Sequence, residues 1–423
     1  MTLDPYQLRG DFPILDRETP SGASLAFLDN AASSQRPVAV LDAMEECYRR
    51  YYANVHRGIH ALSEESTEAY ENARVTVQSF LSATSRREIV FTSGTTASIN
   101  LVARSWGETH LTDGDTILLT IAEHHANIVP WQQLAARTGC RIEFLPLGEN
   151  FEIEDDVVRE AIERCRPKLF AFTAASNVLG THSPVKRWTS IAHEHGAVVL
   201  IDAAQSVPHR AVNVVDWDAD FVVFSGHKLC GPSGIGVLYG KEALLDAMPP
   251  FLGGGGMIDR VTTDGFTFTE LPEKFEAGTP PIAEAIGLAE AIRYIEQVGL
   301  DNIERHEHEL VAEADRRLRE IEGVEILGPP PVNKAGIVTF TIDRVHAHDV
   351  AQWLNTRGVA VRAGHHCAMP LHDSLGKAAS SRASFYLYNT REEVDRLVEA
   401  VTAVREKFAS KGRRRRRQRS NAT

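Results

Sequence analysis

No stretch of eighteen apolar residues occurs anywhere in the 423-residue chain, so nothing in it reads as a membrane span. The opening residues, Met1 to Asp16, carry Asp4, Arg9, Asp11 and Asp16 and lack the continuous apolar core of a secretory signal. Cysteine is scarce and scattered: Cys47, Cys140, Cys165, Cys230 and Cys367 are odd in number and form no C-x-x-C pair. This argues against a disulfide framework or a zinc ribbon and points to a reducing compartment, the cytoplasm. The P-loop lysine pattern of nucleotide hydrolases is also missing. His124 and His125 are adjacent and so point apart; with no H-E-x-x-H pattern beside them, no metal site is expected.

What is present is a large apolar fraction, 43%, enough for one big domain and a smaller companion. Formal net charge is −12, yet Lys411, Arg413 to Arg417 and Arg419 crowd seven positive charges into the tail, which leaves −19 for the rest. An acidic body argues against nucleic acid as a partner, and the arginine run reads as a solvated end.

From Glu88 to Tyr239 the runs EIVFT, TILLT, RIEFLPL, KLFAFT, AVVLID, DFVVFS and GIGVLYG alternate with helix-length amphipathic segments. Seven apolar runs of this kind predict an α/β fold with a mostly parallel seven-stranded sheet covered on both faces. The polar stretch after Gly253 to Gly256 reads as a hairpin or a covering excursion, and a helix is expected from about Ile282 to Gln297. Further on, AGIVTFTI and VAVRAG read as strands and residues 346–357 and 391–408 as helices, a smaller α+β domain. The expected division is 25–285 for the large domain, 1–24 with 286–410 for the small one, and a disordered basic tail over 411–423.

Chemistry gathers where strands end. SGHKLCGPSGIG puts Lys228 between an apolar strand and a glycine-rich turn, where sheet ligands sit. AVVLIDAAQS ends a second strand on Asp202 and Gln205, and a carboxylate there is costly unless it meets a cation or a protonated nitrogen. A pyridine nitrogen held protonated in this way is what the electron sink of pyridoxal phosphate needs, with Gln205 available to the ring's phenolic oxygen. TSGTTASIN opens a helix after EIVFT, so backbone N–H groups with Thr95 and Thr96 can cradle a phosphate. EHHAN supplies His124, able to stack on a ring and shuttle protons. Taken singly, each has an ordinary alternative: a surface lysine, a helix N-cap at Asp202, capping by Ser93 or Thr95, a small buried hydrophobe at Cys367 and a surface ion pair at Arg382.

Together the residues resemble fold-type I pyridoxal-phosphate enzymes of the class V aminotransferase group, and within it SUF-type cysteine desulfurases. FLDNAASSQRP, NVHRGIH, HHANIVPW, SNVLGT, DAAQSV, SGHK, FEAGTP, RAGHHCAMP, SRASFYLYN and EEVDRL carry the resemblance over nearly the whole chain. It implies that Lys228 holds the cofactor as a Schiff base, that Asp202 and Gln205 meet its pyridine nitrogen and phenolic oxygen, and that His124 stacks on it. Thr96, Ser225 and His227 are implied as phosphate ligands beside Thr95 of the same motif, with Thr279 donated by the second subunit of a homodimer. Cys367 is implied as the nucleophile, Arg382 as the substrate-carboxylate ligand and Asn177 as a substrate contact. His56, Arg57, Arg362 and His365 are implied to line the entrance.

The activity implied is conversion of L-cysteine to L-alanine with a persulfide on Cys367, passed to an acceptor of the SUF type for iron–sulfur cluster assembly. The short spacing from Cys367 to Arg382 resembles the SUF subgroup, whose cysteine loop is brief. Two other readings stand beside it: a selenocysteine lyase on the same scaffold, and a catalytically silent sulfur-relay or nucleic-acid-associated binding protein using the arginine tail. One departure is Ala97, where the SUF pattern usually has a glutamate whose salt bridge across the dimer is then absent.

Overall fold

The computed structural model describes residues 3–20 and 22–420, with side chains through Phe408. It divides into two compact units, one of Ser34–Ser176 and His182–Asp301, the other of Met1–Ser33, Asn177–Thr181 and Asn302–Thr423.

The first unit is built on the seven expected strands: β1 (Ile89–Thr92), β2 (Thr116–Thr120), β3 (Arg141–Leu145), β4 (Leu169–Thr173), β5 (Val198–Asp202), β6 (Phe221–Ser225) and β7 (Gly236–Gly240). Their order is β1-β7-β6-β5-β4-β2-β3, and only β7 runs against its neighbours. β2, β4, β6 and β7 are buried along their whole length, as both faces are covered by helices, whereas the edge strand β3 is largely exposed or half-buried until Leu145. The register brings strand ends level: Ser225 pairs with Gly236, Gly236 with Thr92, and Thr173 with Asp202. Helix α1 (Ala61–Phe80) starts where His60 accepts a hydrogen bond from Ser63 N and turns Tyr70, Ala73, Arg74, Val77 and Phe80 inward at helical spacing. Two more helices matter below, α2 (Thr95–Val102) and α3 (Ile282–Val298), the second matching its expected span. The stretch after the glycine run is a hairpin, β8 (Ile258–Val261) with β9 (Phe266–Phe268).

The second unit has an antiparallel four-stranded sheet of β10 (Val324–Leu327), β11 (Ile337–Ile342), β12 (Arg362–Gly364) and β13 (Ser380–Ser384), in the order β10-β11-β13-β12. Helices α4 (Leu300–Arg319), α5 (Ala347–Asn355) and α6 (Arg391–Ser420) accompany it, and Leu310, Val338, Phe340, Leu354, Phe385, Leu397 and Val401 share its core. The N-terminal segment belongs here, tied by Tyr6 Oη to Glu392 and by Arg9 to Glu393.

Three boundaries differ from expectation. The units part at Ser33 and Asp301 rather than at residues 24 and 285, because Asn30 donates into β13 through Ser384 O and α4, not α3, packs in the second core. Residues 177–181 join the second unit, held by Ala335 N on Gly180 O and Thr339 Oγ1 on Val178 O. The segment expected to be disordered from residue 411 continues α6 through Ser420, arginine being a good helix former; residues 421–423 lie outside the described residues.

Candidate active site

Within the first unit, the level strand ends collect one group of side chains. Ser225 closes β6, and its Oγ accepts from Thr95 N at 2.8 Å while sharing a hydrogen bond with Thr95 Oγ1 at 2.7 Å. The first residue of α2 is thus tied to β6. Gly94, at φ 147°, makes the turn, and Gly236 must lack a side chain because its Cβ would stand 2.4 Å from Gly94 Cα. No side chain caps α2 at Gly94, so the capping reading of this motif falls away, and Thr96 is exposed at the helix start. His227 follows Ser225 in a short turn with Lys228; burial, Lys228 and Arg36 hold its imidazole down at about 4, so it is neutral.

Asp202 is buried at 5% exposure. Burial raises its pKa, opposed by the charge of Lys228 and by the Ala204 N–H at 3.0 Å. Gln205 is buried three residues on. His124 Nδ1 accepts from Ala126 N at 3.1 Å, which puts the proton of the neutral ring on Nε2. Glu123, which sequence reading missed, is wholly buried and receives Thr120 Oγ1 at 2.5 Å, Asn127 Nδ2 at 2.7 Å and Thr173 N at 3.0 Å. Burial nevertheless lifts it to about 8. Amine, buried carboxylate, helix-start N–H groups and hydroxyls form a donor set that fits a phosphorylated pyridine aldehyde.

Thr279 is exposed. It borders a cavity of about 580 Å³ with Ala97, Tyr70 and Phe91 on the wall, and a second of about 400 Å³ with His56 and Arg57. His56 Nε2 meets Glu71 at 3.0 Å, and that carboxylate raises its pKa. His56, Glu71 and Glu273 bring donor atoms within 4.8 Å of one another, but Glu71 is already bound by Arg74.

Within the second unit a different group surrounds Cys367. Arg382 is 2% exposed, which rules out a surface ion pair. Its NH1 donates to Asn177 O at 2.7 Å and its NH2 approaches Asp29 at 3.4 Å, while Nε is buried with no hydrogen-bond partner among the described residues. Burial pulls Arg382 down to about 10 against the pull of Asp29. Arg362 grips the same Asp29 carboxylate at 2.9 and 3.1 Å, and this pairing raises its pKa. Asn177 Nδ2 donates to His366 O at 2.7 Å. Cys367 is exposed, not a buried hydrophobe, and has left-handed backbone at φ 57°. The four residues expected at an entrance therefore divide, His56 and Arg57 in one unit, Arg362 and His365 in the other.

A family model described as Aminotransferase class-V matches residues 26–397, and the chain belongs to that family. Curated proteins similar to this chain include cysteine desulfurases and probable cysteine desulfurases. One from Haloferax volcanii is 48% identical over 419 residues, covering 96% of this chain and 98% of the relative. A probable cysteine desulfurase from Halalkalibacterium halodurans is 50% identical over 406 residues, 96% and 99% of the two chains. Among solved structures, the apo cysteine desulfurase of Thermococcus onnurineus superposes with a TM-score of 0.91 at 42% identity, covering 96% and 99% of the two chains. The Escherichia coli cysteine desulfurase CsdA, in its S-sulfonic acid form, gives 0.88 at 39% identity with the same coverage. The fold of this chain is theirs: a mostly parallel seven-stranded sheet with a smaller α+β part.

Proposed function

We propose that this chain is a pyridoxal-phosphate-dependent cysteine desulfurase that converts L-cysteine to L-alanine and collects the sulfur as a persulfide on Cys367. The observation that carries the reading is the buried Arg382 with an unsatisfied Nε–H, in the same unit as an exposed cysteine held in a left-handed turn. A buried guanidinium with a spare donor is suited to a carboxylate.

Lys228, Asp202, Gln205 and His124 would hold the ring of the cofactor, with Thr95, Thr96, Ser225 and His227 at its phosphate and Thr279 serving the partner of a homodimer. When bound, the cofactor supplies an electron sink for the substrate's α-carbon. Arg382 binds the substrate carboxylate, Asn177 orients it, and the Lys228 amine moves the α-proton. Cys367 thiolate attacks the substrate sulfur; that bond forms as the carbon–sulfur bond breaks, and the carbon takes the electron pair and then a proton. L-cysteine and the Cys367 thiol thus become L-alanine and the Cys367 persulfide, with atoms and electrons balanced.

The sulfur then passes to a SUF-type acceptor protein for iron–sulfur cluster assembly. None of the five cysteines is in a disulfide, as suits a cytoplasmic protein, and no helix among the described residues is long and apolar enough to cross a membrane. Purified protein given L-cysteine and a thiol reductant should release alanine and sulfide in equal amounts, and Lys228→Ala should release neither. Alanine formation that survives the lysine change overturns the reading.

A further inference from the structure

Behind Cys367 runs a buried chain of hydrogen bonds that the activity proposed above does not use. The loop after β12 turns through two consecutive left-handed residues, His366 at φ 51° and Cys367 at φ 57°. Residues with side chains keep that backbone only when their surroundings hold them in it. His366 is 7% exposed, and Ser380 and His372 are fully buried. Ser380 Oγ lies 3.0 Å from His366 Nε2 and 2.9 Å from His372 Nε2, and His372 Nδ1 lies 3.0 Å from Ala368 O.

Donor and acceptor counts fix the protons along this chain. A carbonyl oxygen only accepts, so His372 carries its hydrogen on Nδ1. In the neutral ring its Nε2 is then bare and accepts from the Ser380 hydroxyl. With that single proton committed, Ser380 Oγ can only accept from His366, which places a hydrogen on His366 Nε2. His366 Nδ1 is left bare, buried and without a hydrogen-bond partner among the described residues. Burial keeps both rings neutral, and nearby Arg382 and His372 hold His366 lower still. A ring in this state is a poor base, so the histidine adjoining the nucleophile is not what activates it.

We propose that Ser380 and His372 are positioning residues for Cys367 that act through His366: the chain locks His366 as the Nε2–H tautomer and so holds Cys367 in its left-handed turn. Asn177 completes the clamp by pinning the His366 carbonyl at 2.7 Å. The proposal rests on the reading of Cys367 as the sulfur-taking residue.

Histidine-ring nitrogen shifts in the 15N-labelled holoprotein, assigned with a His366→Asn variant, should show His366 as the Nε2–H tautomer with no titration across neutral pH. An Nδ1–H tautomer, or a ring that titrates near 6.5, overturns the proposal. In Ser380→Ala, single-turnover sulfur transfer from L-cysteine to Cys367 should slow roughly tenfold or more, with KM within about twofold, because a misplaced nucleophile loses orientation and not binding. Ser380→Thr keeps the hydroxyl and should stay within about threefold of the parent. The pH midpoint of Cys367 alkylation by iodoacetamide should be the same in all three proteins, while its maximal rate rises in Ser380→Ala as the loop loosens. Transfer at the parent rate in Ser380→Ala, or a midpoint that moves upward, contradicts positioning. Alkylation and ring-nitrogen measurements need no turnover, so they judge the positioning even where the parent takes no sulfur from cysteine.

Discussion

Arg74 holds Glu276 with both ends of its guanidinium, NH1 to Oε1 at 2.7 Å and NH2 to Oε2 at 2.9 Å, and its side chain is completely buried. Tyr70 Oη and Phe91 N donate to the same carboxylate at 2.8 and 2.7 Å. One side chain thus ties α1 and β1 to the loop that carries Thr279. Arg74→Ala leaves this carboxylate without its cation and should cost about 3–5 kcal/mol, read as a lower urea midpoint. Glu276→Gln keeps the shape and one of the two acceptor oxygens, and Glu71 still stands beside Arg74 at 3.2 Å, so it should cost less.

Glu123 makes stability fall on the alkaline side. Its folded value of about 8 lies above the ordinary carboxylate value of 4.5, so the folded protein holds a proton there that the unfolded chain has released. The stabilisation is complete below about pH 4.5 and is lost as pH rises through 8, at up to about 1.4 kcal/mol per pH unit. Glu123→Gln cannot titrate, and the gap in urea midpoint between parent and variant should shift in the variant's favour as pH climbs from 5 to about 8.5.

Histidines act on the acid side. Burial holds His182 and His227 at about 4, below the ordinary 6.5. The unfolded chain therefore binds protons that the folded one refuses, and stability is lost as pH falls from about 6.5 toward 4. His182→Asn should flatten that part of the profile in a denaturation series.

Arg382→Lys retains a charge but not the fork that reaches Asn177 O and leaves Nε for a ligand. kcat/KM for L-cysteine should fall on the order of a hundredfold, about 2.7 kcal/mol, while cofactor absorbance persists. Equal losses in Arg382→Lys and in an Arg362→Lys control would show that no specific carboxylate contact is involved.

Ser225→Ala removes the acceptor of Thr95 N–H and loosens the start of α2. Titration of the apoprotein with pyridoxal phosphate should show affinity roughly tenfold weaker, the worth of about one hydrogen bond.

The seven strands were readable because each is a short apolar run between polar turns, and Lys228, Asp202 and Thr95 because each directly follows such a run. Pairings between distant residues were not readable. Nothing local marks Glu123 as the partner of Thr173 N, Asp29 as the anion between Arg362 and Arg382, or Ser380 as the link between His366 and His372. The 177–181 segment changed units because a β-bridge from Lys334 and hydrogen bonds from Ala335 N and Thr339 Oγ1 claim it, a long-range event that leaves no periodicity. Taken singly, Arg382 kept a surface ion pair as its ordinary alternative, since burial of an arginine is decided by tertiary packing and not by its neighbours in sequence.

The account turns on Cys367 taking sulfur from L-cysteine. Holoprotein mixed with L-cysteine in the absence of reductant, then digested and weighed, should show one added sulfur atom on the peptide that contains Cys367, with one alanine released per persulfide. In Cys367→Ala the cofactor spectrum should remain, but neither persulfide nor alanine should form. Added sulfur on Cys47, Cys140, Cys165 or Cys230 instead, or alanine released by Cys367→Ala at the parent rate, would contradict it.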